Sequence, residues 1–117
     1  MDDPDDPARE LRRVVARLVA IGPERLERPE RPQRAEPKGA AAPGGTLHDV
    51  VQAWLQEMAD LTADASSSIR RVVPRLGPYA VPDQVVVLTR EALSTLADDE
   101  PARVDVARRL VSLRRTL

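Results

Sequence analysis

The sequence predicts an all-α fold, a small bundle of three to four helices that carries a tethered N-terminal amphipathic helix. Apolar residues recur at the helical spacing of three and four through most of the chain. The 117 residues include no Phe, one Trp and one Tyr, so the core must be built from Leu, Val and Ala. Such a core favours closely packed helices over an aromatic-rich β-sandwich, and the length allows one small domain plus tails.

Residues 1–22 are predicted to form an acidic lead-in and an amphipathic helix. Pro7 suits the first helical position, and the aspartates before it favour the positive end of the helix dipole. Gly22 followed by Pro23 ends the helix. Its apolar side, which we predict to bind a groove of a protein partner or to fold back onto the chain's own domain, consists of Leu11, Val14, Val15, Leu18 and Ile21.

Residues 23–45 are predicted to be a disordered linker rich in Pro, Gly, Arg and Glu. Four prolines interrupt alternating charges, and a run of Gly, Ala and Pro follows. Such a composition cannot bury enough apolar surface to offset the entropy lost on ordering. The third segment, residues 46–117, is then the helical bundle domain.

The bundle domain opens with a long apolar stripe at helical phase over residues 46–76, which predicts a long amphipathic helix. Thr46 and Asp49 have the spacing of a capping box, and Gly77 followed by proline ends the pattern. Ser66–Ser68 and Pro74 argue against a straight rod, because serine has mediocre helix propensity and proline removes a backbone donor. The stripe is centred on Trp54 and also contains Leu47, Val50, Val51, Leu55, Met58, Leu61, Ala65, Ile69, Val72, Val73 and Leu76.

Two further helices are predicted to follow. Residues 82–97 contain the only strand-like run of the chain, at 85–89, but Ala92, Leu93 and Leu96 stay in helical phase with it. Asp98 to Glu100 supply the next N-terminal signal, and the last helix is predicted to continue to about Thr116.

The helix lengths predict an uncovered apolar surface. A 30-residue helix is about 45 Å long, whereas each of the last two helices is nearer 25 Å. Either the long helix bends at Ser66–Ser68, or its free half is buried by another copy, another protein or the tethered helix. We therefore predict that Trp54, Met58 and Leu61 bind a partner, as do the apolar residues of the first helix.

Catalytic, cofactor and metal sites are not predicted. Cysteine is absent, no metal-ligand spacing exists, and no glycine-rich phosphate loop is present. His48 is expected at the surface near a helix cap. Glu57, Asp60 and Asp64 are expected to form a solvated acidic face instead of a cation site, and Ser66–Ser68 a weak point of the helix instead of a nucleophile. The chain is therefore predicted not to be an enzyme.

The predicted function is that of a non-catalytic helical interaction or assembly subunit, or adaptor, in a multi-protein or homo-oligomeric complex. The alternative is a small nucleic-acid-binding regulator that uses Arg108, Arg109 and Arg115 of the Arg-rich last helix. The net charge of −1, the pI near 5.8 and the lack of aromatic stacking residues weigh against that alternative.

A cytoplasmic, bacterial protein is expected. No apolar run approaches the length of a membrane span, and the acidic N-terminus does not resemble a signal peptide. The first helix, basic on its polar side, suits a protein groove better than a membrane surface because it lacks aromatic anchors. Lys38 is the only lysine among 18 basic residues, a bias typical of GC-rich bacterial genes. No small-molecule substrate is evident.

Overall fold

The computed structural model describes residues 6–28 and 45–117, and within these ranges the regular secondary structure is helical, with no strand. The helices are α1 (Pro7–Ile21), the short α2 (Pro23–Leu26), α3 (Leu47–Ala65), α4 (Val81–Thr95) and α5 (Glu100–Thr116), with a 3-10 turn at Pro78–Ala80 before α4. The predicted all-α helical bundle is confirmed. No helix in the described ranges is long and apolar enough to cross a membrane.

Helix α1 begins and ends as predicted, and it docks on the chain's own bundle. The Asp6 carboxylate accepts a hydrogen bond from the Ala8 N–H, and Gly22 adopts a φ of 84° just after the helix. The helix packs against α5 and α4. Its apolar side therefore contributes directly to the core, where Leu11, Val14, Leu18 and Ile21 are buried and Val15 is half-buried.

The folded part of the chain continues beyond Gly22. The linker was predicted to start at Pro23, but Pro23–Leu26 is a helical turn, and the Leu26 side chain is buried in the core. A single apolar residue among charged ones carries too little periodic signal to predict such a turn. The rest of the predicted linker, residues 29–44, and the lead-in residues 1–5 lie outside the described residues.

Helix α3 begins at the predicted capping box. The Thr46 hydroxyl accepts from the Asp49 N–H at 3.0 Å, and the Asp49 carboxylate accepts from the Thr46 N–H at 2.9 Å. The helix ends at Ala65, so the prediction that residues 66–76 are helical was wrong, with or without a bend at Ser66–Ser68.

A left-handed residue causes this early end of α3. Ser67 has a φ of 57°, its N–H donates to the Asp64 carbonyl, and the Ser68 N–H donates to the Ala63 carbonyl at 2.7 Å. These two bonds form a Schellman motif, which usually places glycine at the left-handed position. The Ser66 hydroxyl donates to the Thr62 carbonyl at 2.9 Å and so satisfies another carbonyl of the last turn.

Replacing Ser67 with glycine is expected to stabilise the protein. A left-handed conformation costs a residue with a Cβ about 1–2 kcal/mol, and glycine avoids this cost. Glycine also loses more conformational entropy on folding, which offsets part of the gain. We therefore expect the free energy of unfolding to rise by up to about 1 kcal/mol. Ser67→Val should instead lower the free energy of unfolding by about 1 kcal/mol or more. Urea unfolding measures both variants. Equal stability of the glycine and valine variants would contradict the left-handed conformation.

Helices α4 and α5 complete the bundle close to their predicted bounds. The Asp99 carboxylate caps α5 by accepting from the Ala102 N–H at 3.0 Å. Helix α3 packs against α4, and the Trp54 indole N–H donates to the Arg109 carbonyl at 3.1 Å, which ties α3 to α5. The strand-like run at 85–89 is helical because Val85 and Ala92 are buried on one side of α4.

His48 does not lie at the surface, so this prediction was wrong. Its side chain is fully buried, and Nδ1 lies 3.1 Å from Oε1 of Glu27. The reason is α2, which packs over the start of α3 and brings Glu27 to the histidine.

Candidate partner-binding surface

Residues 68–77, here called the strap, leave the end of α3 and run back along that helix. The Gln56 carboxamide donates to the Arg71 carbonyl at 2.8 Å and accepts from the Val73 N–H at 2.9 Å. The Gln52 carboxamide donates to the Val73 carbonyl at 3.0 Å. Four residues of a helix rise about 6 Å, and two residues of an extended chain about 6.6 Å. The distance between the two glutamines along α3 therefore nearly equals the distance between alternate residues of the strap.

Ion pairs and one further hydrogen bond fix the strap at both ends. Arg70 binds Asp64 through two hydrogen bonds, of 2.6 and 3.0 Å. Near the other end, Arg75 binds the Asp49 carboxylate at 2.7 Å. The Gln84 carboxamide of α4 donates to the Pro74 carbonyl at 3.1 Å. The strap is thus attached to α3 along its length and to α4 at Pro74.

These contacts shift the pKa values of the two carboxylates. The side-chain hydrogen bond from Arg70 lowers the pKa of Asp64, and the same bond raises the pKa of Arg70. The pKa of Asp49 is lowered first by the backbone hydrogen bond from Thr46 and then by Arg75. Both carboxylates therefore remain ionised to lower pH in the folded chain than in the unfolded chain.

The strap is expected to lose its stabilisation in acid. A lowered folded-state pKa gives stability that is present above the unfolded value, about 3.9, and is lost as the pH falls through the folded value. We expect Asp64→Asn to lower the melting temperature relative to the natural chain at neutral pH, with the difference closing below about pH 4. Asp98→Asn, at an exposed position outside the strap contacts, is the control. A difference that persists unchanged in acid would contradict the assignment.

Two apolar side chains of the strap are almost completely exposed. Ile69 is 86% exposed and Val72 is 87% exposed, whereas Val73 faces the bundle and packs against the core. Leu76 and Tyr79 add further exposed apolar surface toward α4. Because Ile69 and Val72 belong to a backbone that is held in place, they form a fixed apolar surface.

A cleft lies beside this surface, between the strap, α3 and α4. Its volume is about 460 Å³. Small residues of α3, Ala59 and Ala63, contribute to its wall, together with Leu88 of α4. One basic and one acidic side chain, Arg71 and Glu91, also line the cleft. It therefore combines apolar walls with two charged groups, as binding clefts do.

The residues that the sequence singled out for partner binding lie mainly in the core. Leu11, Val14, Leu18, Ile21 and Met58 are buried, Trp54 is 8% exposed, and Val15 and Leu61 are half-buried against the core. In the folded chain these side chains hold α1 and α3 to the rest of the bundle. The two most exposed large apolar side chains of the described residues, Ile69 and Val72, lie instead on the strap.

The arginines of α5 are not arranged as one free basic face. Arg109 binds Asp105 at 2.8 Å and Glu57 at 3.2 Å, while Arg108 and Arg115 are exposed. The ion pairs of Arg109 are those of a surface network that links α3 and α5. Because Arg109 is already paired with two carboxylates, we do not propose that α5 binds nucleic acid.

The acidic residues of α3 bind arginines. Asp64 binds Arg70, and Asp60 lies 3.8 Å from the same guanidinium. In the parts of the chain that the structure describes, no group of three or more His, Cys, Asp or Glu side chains is arranged to hold a metal ion.

Sequence reasoning missed the strap as an extended segment. Gln52 and Gln56, four residues apart on α3, were the available signal, because paired carboxamides on one helix side offer both donors and acceptors. Pro74, which lacks an N–H, was the second signal.

The strap and its cleft together form the candidate partner-binding surface. The surface is apolar, fixed by side-chain contacts and open to solvent along one side. Comparison with known protein families, with curated proteins and with solved structures finds no match to this chain.

Proposed function

We propose that this chain is a non-catalytic helical interaction subunit that binds a segment of a protein partner at the strap and its cleft. The exposure of Ile69 and Val72 on a fixed backbone is the observation that carries the proposal. Removing such side chains from water contributes about 1.5–3 kcal/mol each. Contiguous exposed apolar surface on a soluble domain often marks a binding site.

The attachment of the strap supports binding because it limits the entropy lost on association. Arg70 and Arg75 fix its two ends, and Gln56 fixes its middle. A surface that is already ordered loses less conformational freedom when a partner binds than a free loop does. The cleft volume of about 460 Å³ also falls within the range typical of binding pockets in proteins.

The proposal includes a bacterial, cytoplasmic setting. Arginine supplies every basic residue except Lys38, and the sequence contains no cysteine. The arginine bias supports an organism with GC-rich genes, and the absence of cysteine fits a reducing compartment, where disulfides do not form.

Panning the full-length chain against a displayed library of random linear peptides tests the proposal. We expect enriched peptides whose binding falls at least about tenfold when Ile69→Ser and Val72→Ser are combined, because most of the apolar contact is lost. The matched control combines Val19→Ser and Val87→Ser, at positions 65% and 60% exposed on α1 and α4. Enrichment of no peptide, or equal weakening by both double variants, would overturn the proposal.

A further inference from the structure

We infer, building on the proposed function, that the partner binds as an extended strand added to the free edge of the strap at Val72, with an acidic side chain against Arg71. The polar groups of successive residues in an extended chain point to opposite edges. The Arg71 carbonyl and both polar groups of Val73 bond the glutamines of α3. The N–H and carbonyl of Val72 must therefore point to the other edge.

This second edge is free of hydrogen bonds around Val72. In residues 6–28 and 45–117, neither the N–H nor the carbonyl of Arg70 or Val72 makes a hydrogen bond. Unpaired backbone groups beside exposed β-branched side chains are a template for another strand. The glutamines of α3 thus take the place of one neighbouring strand, and the opposite place is vacant.

The free edge faces the cleft between the strap and α4. Gln84 of α4 reaches the strap at Pro74, and beyond that contact the cleft opens between Val72 and Leu88. A strand that enters here pairs with the edge through its backbone and turns alternate side chains into the cleft. Because Ala59 and Ala63 form part of the wall, these side chains meet apolar surface.

Arg71 gives the partner a charge preference. Arg70 and Arg75 are each paired with a carboxylate, whereas the Arg71 guanidinium has no ion pair within the described part of the chain. A guanidinium at the mouth of a cleft binds a carboxylate with charge-assisted hydrogen bonds. We therefore expect an acidic residue next to the paired positions of the partner.

The free edge fits a different protein better than a second copy of this chain. In antiparallel pairing of two straps about Val72, Arg70 lies opposite Pro74 of the other copy. Proline has no N–H to donate, so this pairing loses a hydrogen bond. Both straps would also bring an unpaired Arg71 to the same interface, where like charges repel.

Backbone methylation of the peptide enriched by panning tests strand addition. N-methylation removes one donor at a time, so alternate methylated positions should weaken binding by about tenfold and the positions between them should not. Amide exchange of Val72 should slow by about tenfold or more on peptide binding. A peptide that binds without this alternation and without Val72 protection, yet still requires Ile69 and Val72, overturns strand addition and leaves the proposed function standing.

Charge reversal tests the acidic contact. Arg71→Glu should weaken the peptide by about tenfold, and a peptide with lysine in place of its acidic residue should regain that loss. Arg115→Glu, on α5, is the control. Equal binding by Arg71→Glu and the natural chain overturns the charge assignment.

Sedimentation of the chain without peptide tests whether a second copy occupies the edge. A dimer that Val72→Ser dissociates would identify a second copy as the occupant, and this result would also overturn the inference.

Discussion

Leu18→Ala is expected to lower the free energy of unfolding by about 2–5 kcal/mol, as large-to-small substitutions in a core do. Leu18 is 1% exposed on α1, where the helix packs against α5 and α4. This loss is a large part of the total free energy of unfolding of a small domain, which is typically about 5–15 kcal/mol. Urea unfolding followed by Trp54 fluorescence measures the change, because the indole is bonded to α5.

The neighbouring residue provides the control for this prediction. Val19 is 65% exposed on the same helix, so Val19→Ala should change the free energy of unfolding by no more than about 0.5 kcal/mol. Equal effects of the two substitutions would mean that α1 does not share the core. The apolar side of α1 would then be available to a partner, as the sequence alone allows.

Gln56→Ala is expected to release the middle of the strap. The substitution removes the partners of the Arg71 carbonyl and the Val73 N–H together, and each lost bond costs about 0.5–1.5 kcal/mol. Trypsin cuts extended, accessible chain after arginine. We therefore expect cleavage after Arg70 and Arg71 to become about tenfold to a hundredfold faster, in proportion to the population of the opened strap.

Gln84→Ala is the matched control for the release of the strap. This glutamine makes one hydrogen bond to the strap, at Pro74, so its loss should accelerate cleavage by about tenfold at most. Mass spectrometry of early fragments identifies the cut site. The same cleavage rate in Gln56→Ala and the natural chain would show that the carboxamide does not hold the strap.

The predictable parts of this fold are those that local signals specify. The Asp6–Pro7 start of α1, the Thr46 capping box and the Asp99 cap of α5 each require only a few adjacent residues. Gly22 likewise ends α1 through its own backbone preference. These signals do not depend on the rest of the chain, and the structure has all of them.

The strap could not be predicted from periodicity because its apolar residues fit a helix equally well. Ile69, Val72 and Leu76 are spaced by three and four, and this spacing is what an amphipathic helix requires. Long-range hydrogen bonds to Gln52 and Gln56 favour the extended form instead, and they become visible only in three dimensions. Residues 46–76 therefore do not form the long, half-uncovered helix that we predicted, although Ile69 and Val72 are exposed.

His48 shows the same limit on a smaller scale. Its burial depends on α2, which the sequence assigned to the linker, and on the position of Glu27. The strap surface, which we propose to bind a partner, was also not predicted, because the apolar pattern of the sequence pointed to Leu18 and Met58 instead. Both of those side chains are buried inside the bundle.

The attachment of the strap by carboxamides has an evolutionary consequence. In a β-sheet, one strand is held by the main chain of its neighbour, and every residue type supplies the same polar groups. Here the side chains of two particular residues, Gln52 and Gln56, supply these polar groups. Mutation of these glutamines can therefore loosen or tighten the attachment of the strap one side chain at a time, while the helices beneath it keep their architecture.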